Sequence, residues 1–205
     1  MIEPPFLSTT RTAYDARAAE YAERFSASLD SRPLDRAMFA AFADLGCGPG
    51  HGTAHLHSLG LTAFGVDLSP RMIALARRAH PHLRFDEGSM TALDLPDGAL
   101  GGAVAWYSTI HTPPERLPEV LAELHRVLAP GGHLLMAFPS GDELLVLPEP
   151  FDHKVTLAYR WPLGHVAGLL CQAGFTVVAR LLCDEGDRFL QGCLLARRPA
   201  EDEGR

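Results

Sequence analysis

The sequence predicts an α/β protein: a doubly wound, mostly parallel seven-stranded sheet with an antiparallel last strand and helices on both faces. Three observations carry this. Short apolar runs alternate with amphipathic stretches between residues 53 and 138, the order that produces strand–helix–strand units. One junction is a glycine-rich turn, Asp44-Leu45-Gly46-Cys47-Gly48-Pro49-Gly50. Two further apolar runs, Phe175–Leu182 and Arg188–Ala196, lie close enough in sequence to pair antiparallel.

The elements follow in order. Residues 9–29 read as a helix, because Ala13, Tyr14, Ala18, Tyr21, Ala22 and Phe25 recur at helical spacing. A second helix is expected from Asp30 or Ser31, with Pro33 in its first turn and Leu34 and Met38 turned inward. A buried strand should come next, yet Met38 to Ala43 must serve as both helix end and strand, with no connection between them. Either a short surface loop is missing around residues 40–43, or the first strand is shortened. After the glycine turn, Thr53–Leu59 continues as a helix and Leu61–Val66 is a strand ending at Asp67. Ser69 caps a helix through Ala79, with Pro70 at its first position. Leu83–Phe85 and Gly102–Trp106 are strands. Leu117 to Leu128 is a helix with Leu117, Val120, Leu121, Leu124 and Leu128 on one face. Pro130-Gly131-Gly132 stops it before the strand His133–Phe138. Residues 139–162, with four prolines, break the alternation and hold a candidate strand at 154–159. A helix from Leu163 to Ala173 ends at Gly174.

The chain of 205 residues suits one domain, with cap helices in 1–35 and an insert at 139–162. Hydrophobic residues make up 47% and charged residues 21%, the balance of a globular protein in water. A net charge of −7 argues against nucleic acid or an anionic membrane as the main partner. No apolar run nears the ~20 residues that cross a bilayer, and no secretory leader is expected from Met1-Ile2-Glu3-Pro4-Pro5, which lacks a basic stretch and an apolar run. Cys47, Cys171, Cys183 and Cys193 form no Cys-x-x-Cys pair and read as free thiols. A cytoplasmic location is expected. His51, His55 and His57 cluster, but no acid or cysteine completes a site, so no metal is expected.

The glycine turn is the strongest functional signal. Glycine permits positive φ and close approach of a ligand to the backbone, and the helix that follows offers free N–H groups. The dinucleotide fingerprint Gly-x-Gly-x-x-Gly does not fit, since its third glycine would fall on His51 or Thr53. The bland alternative is a turn with no ligand.

The spacing Asp-x-Gly-x-Gly-x-Gly resembles the first motif of class I S-adenosylmethionine-dependent methyltransferases. Four further places extend the resemblance over nearly the whole chain: Val66-Asp67, Gly88-Ser89-Met90, Trp106 to His111, and Arg126-Val127-Leu128-Ala129-Pro130-Gly131-Gly132. It implies that Gly46, Cys47, Gly48 and Gly50 carry the cofactor's methionine part, with Asp44 positioning the loop and His51 bordering it. Asp67, 17 residues after Gly50, would accept hydrogen bonds from the ribose hydroxyls. Ser89 and Met90 would flank the adenine, with Leu68 and Met72 near the adenosine; Met72 serves equally as core. Many family members carry Asp where Ser89 stands. Trp106 and Tyr107 would meet the sulfonium by cation–π attraction or simply pack. Tyr14 and Tyr21 share a helix face and either reach the cofactor or pack on the sheet. His111 is the candidate acid–base group; its alternative is to cap the next helix.

The resemblance therefore implies methyl transfer from S-adenosyl-L-methionine to an oxygen or nitrogen of a small-molecule acceptor, leaving S-adenosyl-L-homocysteine. The acceptor pocket is expected between the N-terminal helix, the segment after the fourth strand and the insert, where Phe151, His153, Tyr159 and Trp161 are available to line it. The enzyme is expected to be a monomer or homodimer. Two rivals stand beside this: a catalytically silent protein of the same fold, and a nicotinamide-dependent oxidoreductase, which the glycine spacing disfavours.

Overall fold

The computed structural model describes residues 4–30, 43–141, 146–184 and 190–200. Within them the sheet strands are β1 (Ala43–Leu45), β2 (Phe64–Asp67), β3 (Arg84–Glu87), β4 (Leu100–Trp106), β5 (Leu128–Ser140), β8 (Thr176–Asp184) and β9 (Leu190–Arg197). Between β5 and β8 lies a separate hairpin of β6 (Glu149–Asp152) and β7 (Leu157–Arg160). The helices are α1 (Pro5–Asp30), α2 (His51–Ser58), α3 (Pro70–Ala79), α4 (Leu117–Val127) and α5 (Leu163–Gln172).

The sheet order is β3-β2-β1-β4-β5-β9-β8. All pairs from β3 to β5 are parallel, and β9 runs antiparallel to both β5 and β8. The expected fold class is therefore observed, with β9 as the reversed last strand. From β1 the chain moves outward to β2 and β3, then returns to the other side as β4. The carboxyl ends of β1 and β4 thus flank the reversal of strand order, where open α/β sheets bind ligands.

Both faces of the sheet are buried, and the strands show it by period 2. Ala103, Ala105, Leu134 and Met136 join the core shared with α4 and α5, whereas Val104, Trp106, Leu135 and Ala137 pack with Leu56 of α2. On α4, Leu117, Val120, Leu121, Leu124 and Val127 are buried along one stripe. The carbonyl end of α4 is closed by Arg198, whose Nη1 donates to His125 and Leu128 at 2.9 and 2.6 Å, a favourable place for a cation. Ser69 caps α3 as expected: its Oγ accepts from Met72 N at 3.1 Å and Pro70 occupies the first turn.

Some boundaries differ from expectation. Strand β5 starts at Leu128, because Leu128 pairs with Leu100 before the register shifts across the glycine pair. The insert forms a hairpin where one strand was expected. Glu149-Pro150-Phe151-Asp152 has no apolar alternation, and Pro150 is tolerated because β6 is paired on one side only. The hairpin turn places Lys154 at φ 67, and Lys154 N donates to Asp152 Oδ1 at 2.9 Å. The hairpin is anchored to the fold by Tyr159 N, which donates to the Ile110 carbonyl at 2.9 Å. The expected second helix and the question of a missing loop at 40–43 lie outside the described residues, apart from β1 itself, which is three residues long.

Candidate functional site

The glycine turn is built by exclusion of side chains. Gly46 has φ +79, and a Cβ there would fall 2.2 Å from the Cβ of Ser108. Gly50, at φ +89, has the Phe85 ring where its side chain would be. The turn hangs from β2 through Gly46 N and Cys47 N, which both donate to the Val66 carbonyl, at 2.7 and 3.0 Å. Asp67, at the end of β2, closes the arrangement. Its Oδ2 accepts from Gly48 N at 2.7 Å and its Oδ1 from Ser69 N at 2.9 Å. Each carboxylate oxygen retains a further lone pair for a ligand.

Asp44 lies beneath the turn and is almost fully buried. Its Oδ2 accepts from Thr53 Oγ1 at 2.9 Å. Burial pushes its carboxyl up to about 7, the Thr53 hydroxyl pulls the other way, and the charge of Asp67 adds to the rise. Burial likewise raises Asp67 to about 6 against the pull of the Ser69 and Gly48 N–H groups. Among the described residues neither carboxylate has a cationic partner. Two desolvated carboxylates of this kind suit a cationic ligand.

A cleft opens from the turn towards α1, with about 800 Å³ of free space, part of it open to solvent. Gly46, Gly48, Asp67, Leu68, Ser89, Met90, Trp106, Tyr107, Tyr14, Tyr21 and His111 all line it. A smaller adjoining recess is bordered by Asp44 and Cys47. Helix α1 covers the cleft because Arg11 Nε donates to the Leu68 carbonyl at 3.1 Å and Asp15 accepts from Ser69 Oγ and from Arg71 N.

On the α1 side of the cleft, Tyr14 Oη lies 3.0 Å from His111 Nε2, and His111 Nδ1 lies 2.8 Å from the Leu157 carbonyl of the hairpin. The Tyr14 ring meets Tyr21 edge-on at 5.2 Å and His111 at 5.4 Å. Burial holds His111 down at about 4, so it is neutral near pH 7. Burial raises Tyr14 well above the usual phenol range, with Tyr21 and Asp67 adding to it, and pushes Tyr21 up to about 12. Tyr107, directly after β4, has φ 54, a conformation that costs a bulky residue ~1–3 kcal/mol. It is held by Tyr107 N on the Ala137 carbonyl at 2.8 Å and by its hydroxyl on Gln191 Oε1 at 2.6 Å.

Other expected residues lie elsewhere. Met72 is fully buried on the core face of α3. Gly50 backs onto Phe85, and the His51 ring stacks edge-on against His80 at 5.9 Å. Trp106 is largely buried with Leu135 and Ala137 while one edge reaches the cleft. Trp161, offered as a pocket residue, is fully buried in the main core. No group of three His, Cys, Asp or Glu among the described residues is placed to hold a metal ion. Sequence reasoning missed Phe6 and Thr10, although Phe6, Thr10 and Tyr14 recur at four-residue steps on one face of α1. It also missed Ser108 and Gln191. Nothing local marks Gln191; it reaches Tyr107 because β9 pairs with β5.

A family model described as a methyltransferase domain matches residues 42–132. A Synechocystis protein described as an uncharacterized methyltransferase is 31% identical over 155 residues, covering 68% of this chain and 68% of that protein. The malonyl-[acyl-carrier protein] O-methyltransferase of Pectobacterium atrosepticum is 34% identical over 99 residues, covering 46% of this chain and 36% of that enzyme. The chain spans about half the length of the curated relatives it matches. Among solved structures, the Burkholderia thailandensis 1,6-didemethyltoxoflavin-N1-methyltransferase, with 1,6-didemethyltoxoflavin and S-adenosylhomocysteine bound, superposes with a TM-score of 0.77. That match is 21% identical and covers 97% of this chain and 92% of the other. No helix among the described residues is long and apolar enough to cross a membrane.

Proposed function

Because the chain belongs to the class I S-adenosylmethionine-dependent methyltransferases, we propose that it moves a methyl group to an oxygen or nitrogen of a small-molecule acceptor. The observation that carries this reading is the pair of desolvated carboxylates, Asp44 and Asp67, beneath and beside the glycine turn, at one end of a cleft whose other end is the Tyr14–His111 pair. The residues present fit S-adenosylmethionine. Asp67 has free lone pairs for the ribose hydroxyls, Leu68 and Met90 are apolar neighbours for the adenine, and the buried carboxylates complement positive charge. S-adenosylmethionine bound there supplies an electrophilic methyl group on a sulfonium.

The chain's own residues do the rest. The Gly46–Gly48 backbone and Asp67 hold the cofactor end, and α1 and the β6–β7 hairpin exclude water from the acceptor end. Tyr14 and His111 orient the acceptor. His111 is a weak base, with burial holding it at about 4. It suffices because a hydroxyl oxygen that accepts a methyl group becomes a strongly acidic oxonium, and a nitrogen that does so gains a positive charge and can release its proton to solvent after the transfer. Positioning supplies much of the rate. The relatives' names span a protein-borne malonyl group, demethylmenaquinone and trans-aconitate, so likeness does not choose the acceptor.

Calorimetric titration with S-adenosylhomocysteine tests the reading, with NAD as comparison and Asp67→Ala as control. Micromolar binding of the first alone, lost in the variant, is expected. Binding of NAD instead, or no dependence on Asp67, would overturn it.

A further inference from the structure

We infer that the acceptor is an uncharged, largely apolar molecule that enters as a hydrogen-bond donor, presenting a protonated oxygen or nitrogen to Tyr14, and that carboxylates are excluded. The inference rests on the methyltransferase reading and adds the chemical class of the second substrate.

The first support is the direction of the hydrogen bonds. The Leu157 carbonyl has no proton to give, so His111 Nδ1 donates to it. Burial keeps the imidazole neutral with a single proton. Its Nε2 therefore accepts, and Tyr14 donates to it. Tyr14 and Tyr21 also share a hydrogen bond. With the one proton of Tyr14 committed to His111, Tyr21 is the donor in that bond. Every proton in the row points towards Leu157, and one lone pair of the Tyr14 oxygen remains. A ligand atom that meets this lone pair must bring a proton. A carboxylate brings none.

The second support is charge. Around Tyr14 and His111 the cleft lining includes Phe6, Thr10, Thr112 and Val120, none of them formally charged. Among the described residues, the charged groups lining the cleft are Arg11 and Asp67. Arg11 donates to the Leu68 carbonyl, next to Asp67. The field in the cleft is thus that of Asp67 and the nearby Asp44. It attracts a sulfonium cation and repels an anionic acceptor; the Arg116 guanidinium, 5.7 Å from the centre of the Phe6 ring, does not line the cleft and is paired with Glu119 at 2.7 Å.

The reaction balances on these groups. The acceptor's lone pair forms the new bond to the methyl carbon, while the sulfur keeps the old bonding pair and becomes a neutral thioether. The acceptor's proton moves onto Tyr14 as the Tyr14 proton passes to His111 Nε2. It leaves for solvent when the product departs.

The test uses three probes on the full chain saturated with S-adenosylhomocysteine: 2-naphthol, 2-methoxynaphthalene and 2-naphthoate. Saturation is established first by calorimetry, so a failure of the cofactor reading shows itself before the acceptor is tested. We expect 2-naphthol to bind about tenfold or more tightly than either of the others. Tyr14→Phe, brought to saturation with S-adenosylhomocysteine in the same way, should reduce 2-naphthol to the level of 2-methoxynaphthalene. Equal or tighter binding of the naphthoate, a preference for 2-naphthol that survives Tyr14→Phe, or no binding of 2-naphthol at millimolar concentration would overturn the inference.

Discussion

Replacing Asp44 by Asn isolates the electrostatic strain beneath the glycine turn. The carboxamide oxygen still accepts from Thr53 Oγ1, so the 2.9 Å bond survives, but the group no longer ionises. Folded Asp44 holds its proton until about pH 7, against a value near 4 in an unfolded chain. A carboxyl whose folded pKa is raised contributes its full stability below the unfolded value and loses it as pH rises through the folded one. Integrated between pH 5 and pH 8, the loss is about 2.5 kcal/mol. Urea denaturation at the two pH values reads it directly. Wild type should lose that much relative to Asp44→Asn, equivalent to about 5–10 °C in Tm for a chain of this size. The sulfonium cation offsets the same penalty. S-adenosylmethionine should therefore gain on S-adenosylhomocysteine as pH rises from 5 to 8 in wild type, and gain less in the variant. Parallel stability curves for the two proteins, or a wild type that gains on the variant towards pH 8, would refute the reasoning.

Three further outcomes follow from the geometry. Gly46→Ala drives a Cβ into Ser108 at a positive φ, so S-adenosylhomocysteine binding should vanish in calorimetry and stability should fall by ~2–4 kcal/mol. Leu121→Ala empties a fully buried site on α4 and should cost ~2–5 kcal/mol by chemical denaturation without changing ligand affinity. Because burial holds His111 at about 4, it is neutral above that pH. At saturating S-adenosylmethionine the initial methylation rate should then show no inflection near 6.5 due to this group, whose contribution should be lost only below about pH 4–5, whereas a step near 6.5 lost in His111→Asn would place His111 in contact with solvent.

The elements most legible in the sequence are those whose cause is local. Ser69 and Pro70 announce the start of α3, and the leucines of α4 announce its buried face, because capping and helical period act within a few residues. The glycine turn and Asp67 are legible because the strand and helix between them have standard lengths. Residues whose role depends on tertiary pairing are not. Leu157 orients His111 through a backbone carbonyl, which any side chain would supply, and Gln191 reaches Tyr107 only through the β5–β9 register. Met72 shows the ambiguity of a single period: with Ile73 and Ala76 it belongs to the face that α3 buries. Strand β6 was hidden by Pro150 and two acids, since a hairpin paired on one edge needs no apolar alternation.

The central claim is that the cleft between the glycine turn and α1 holds the adenosine of a methyl donor, with Asp67 on its ribose. A crystal structure of the chain with S-adenosylhomocysteine measures this directly. The account predicts both ribose hydroxyls within hydrogen-bond distance of the Asp67 carboxylate and the thioether sulfur on the side of the cleft that leads to Tyr14 and His111. Ligand bound elsewhere, or ribose hydroxyls that make no contact with Asp67, would contradict it.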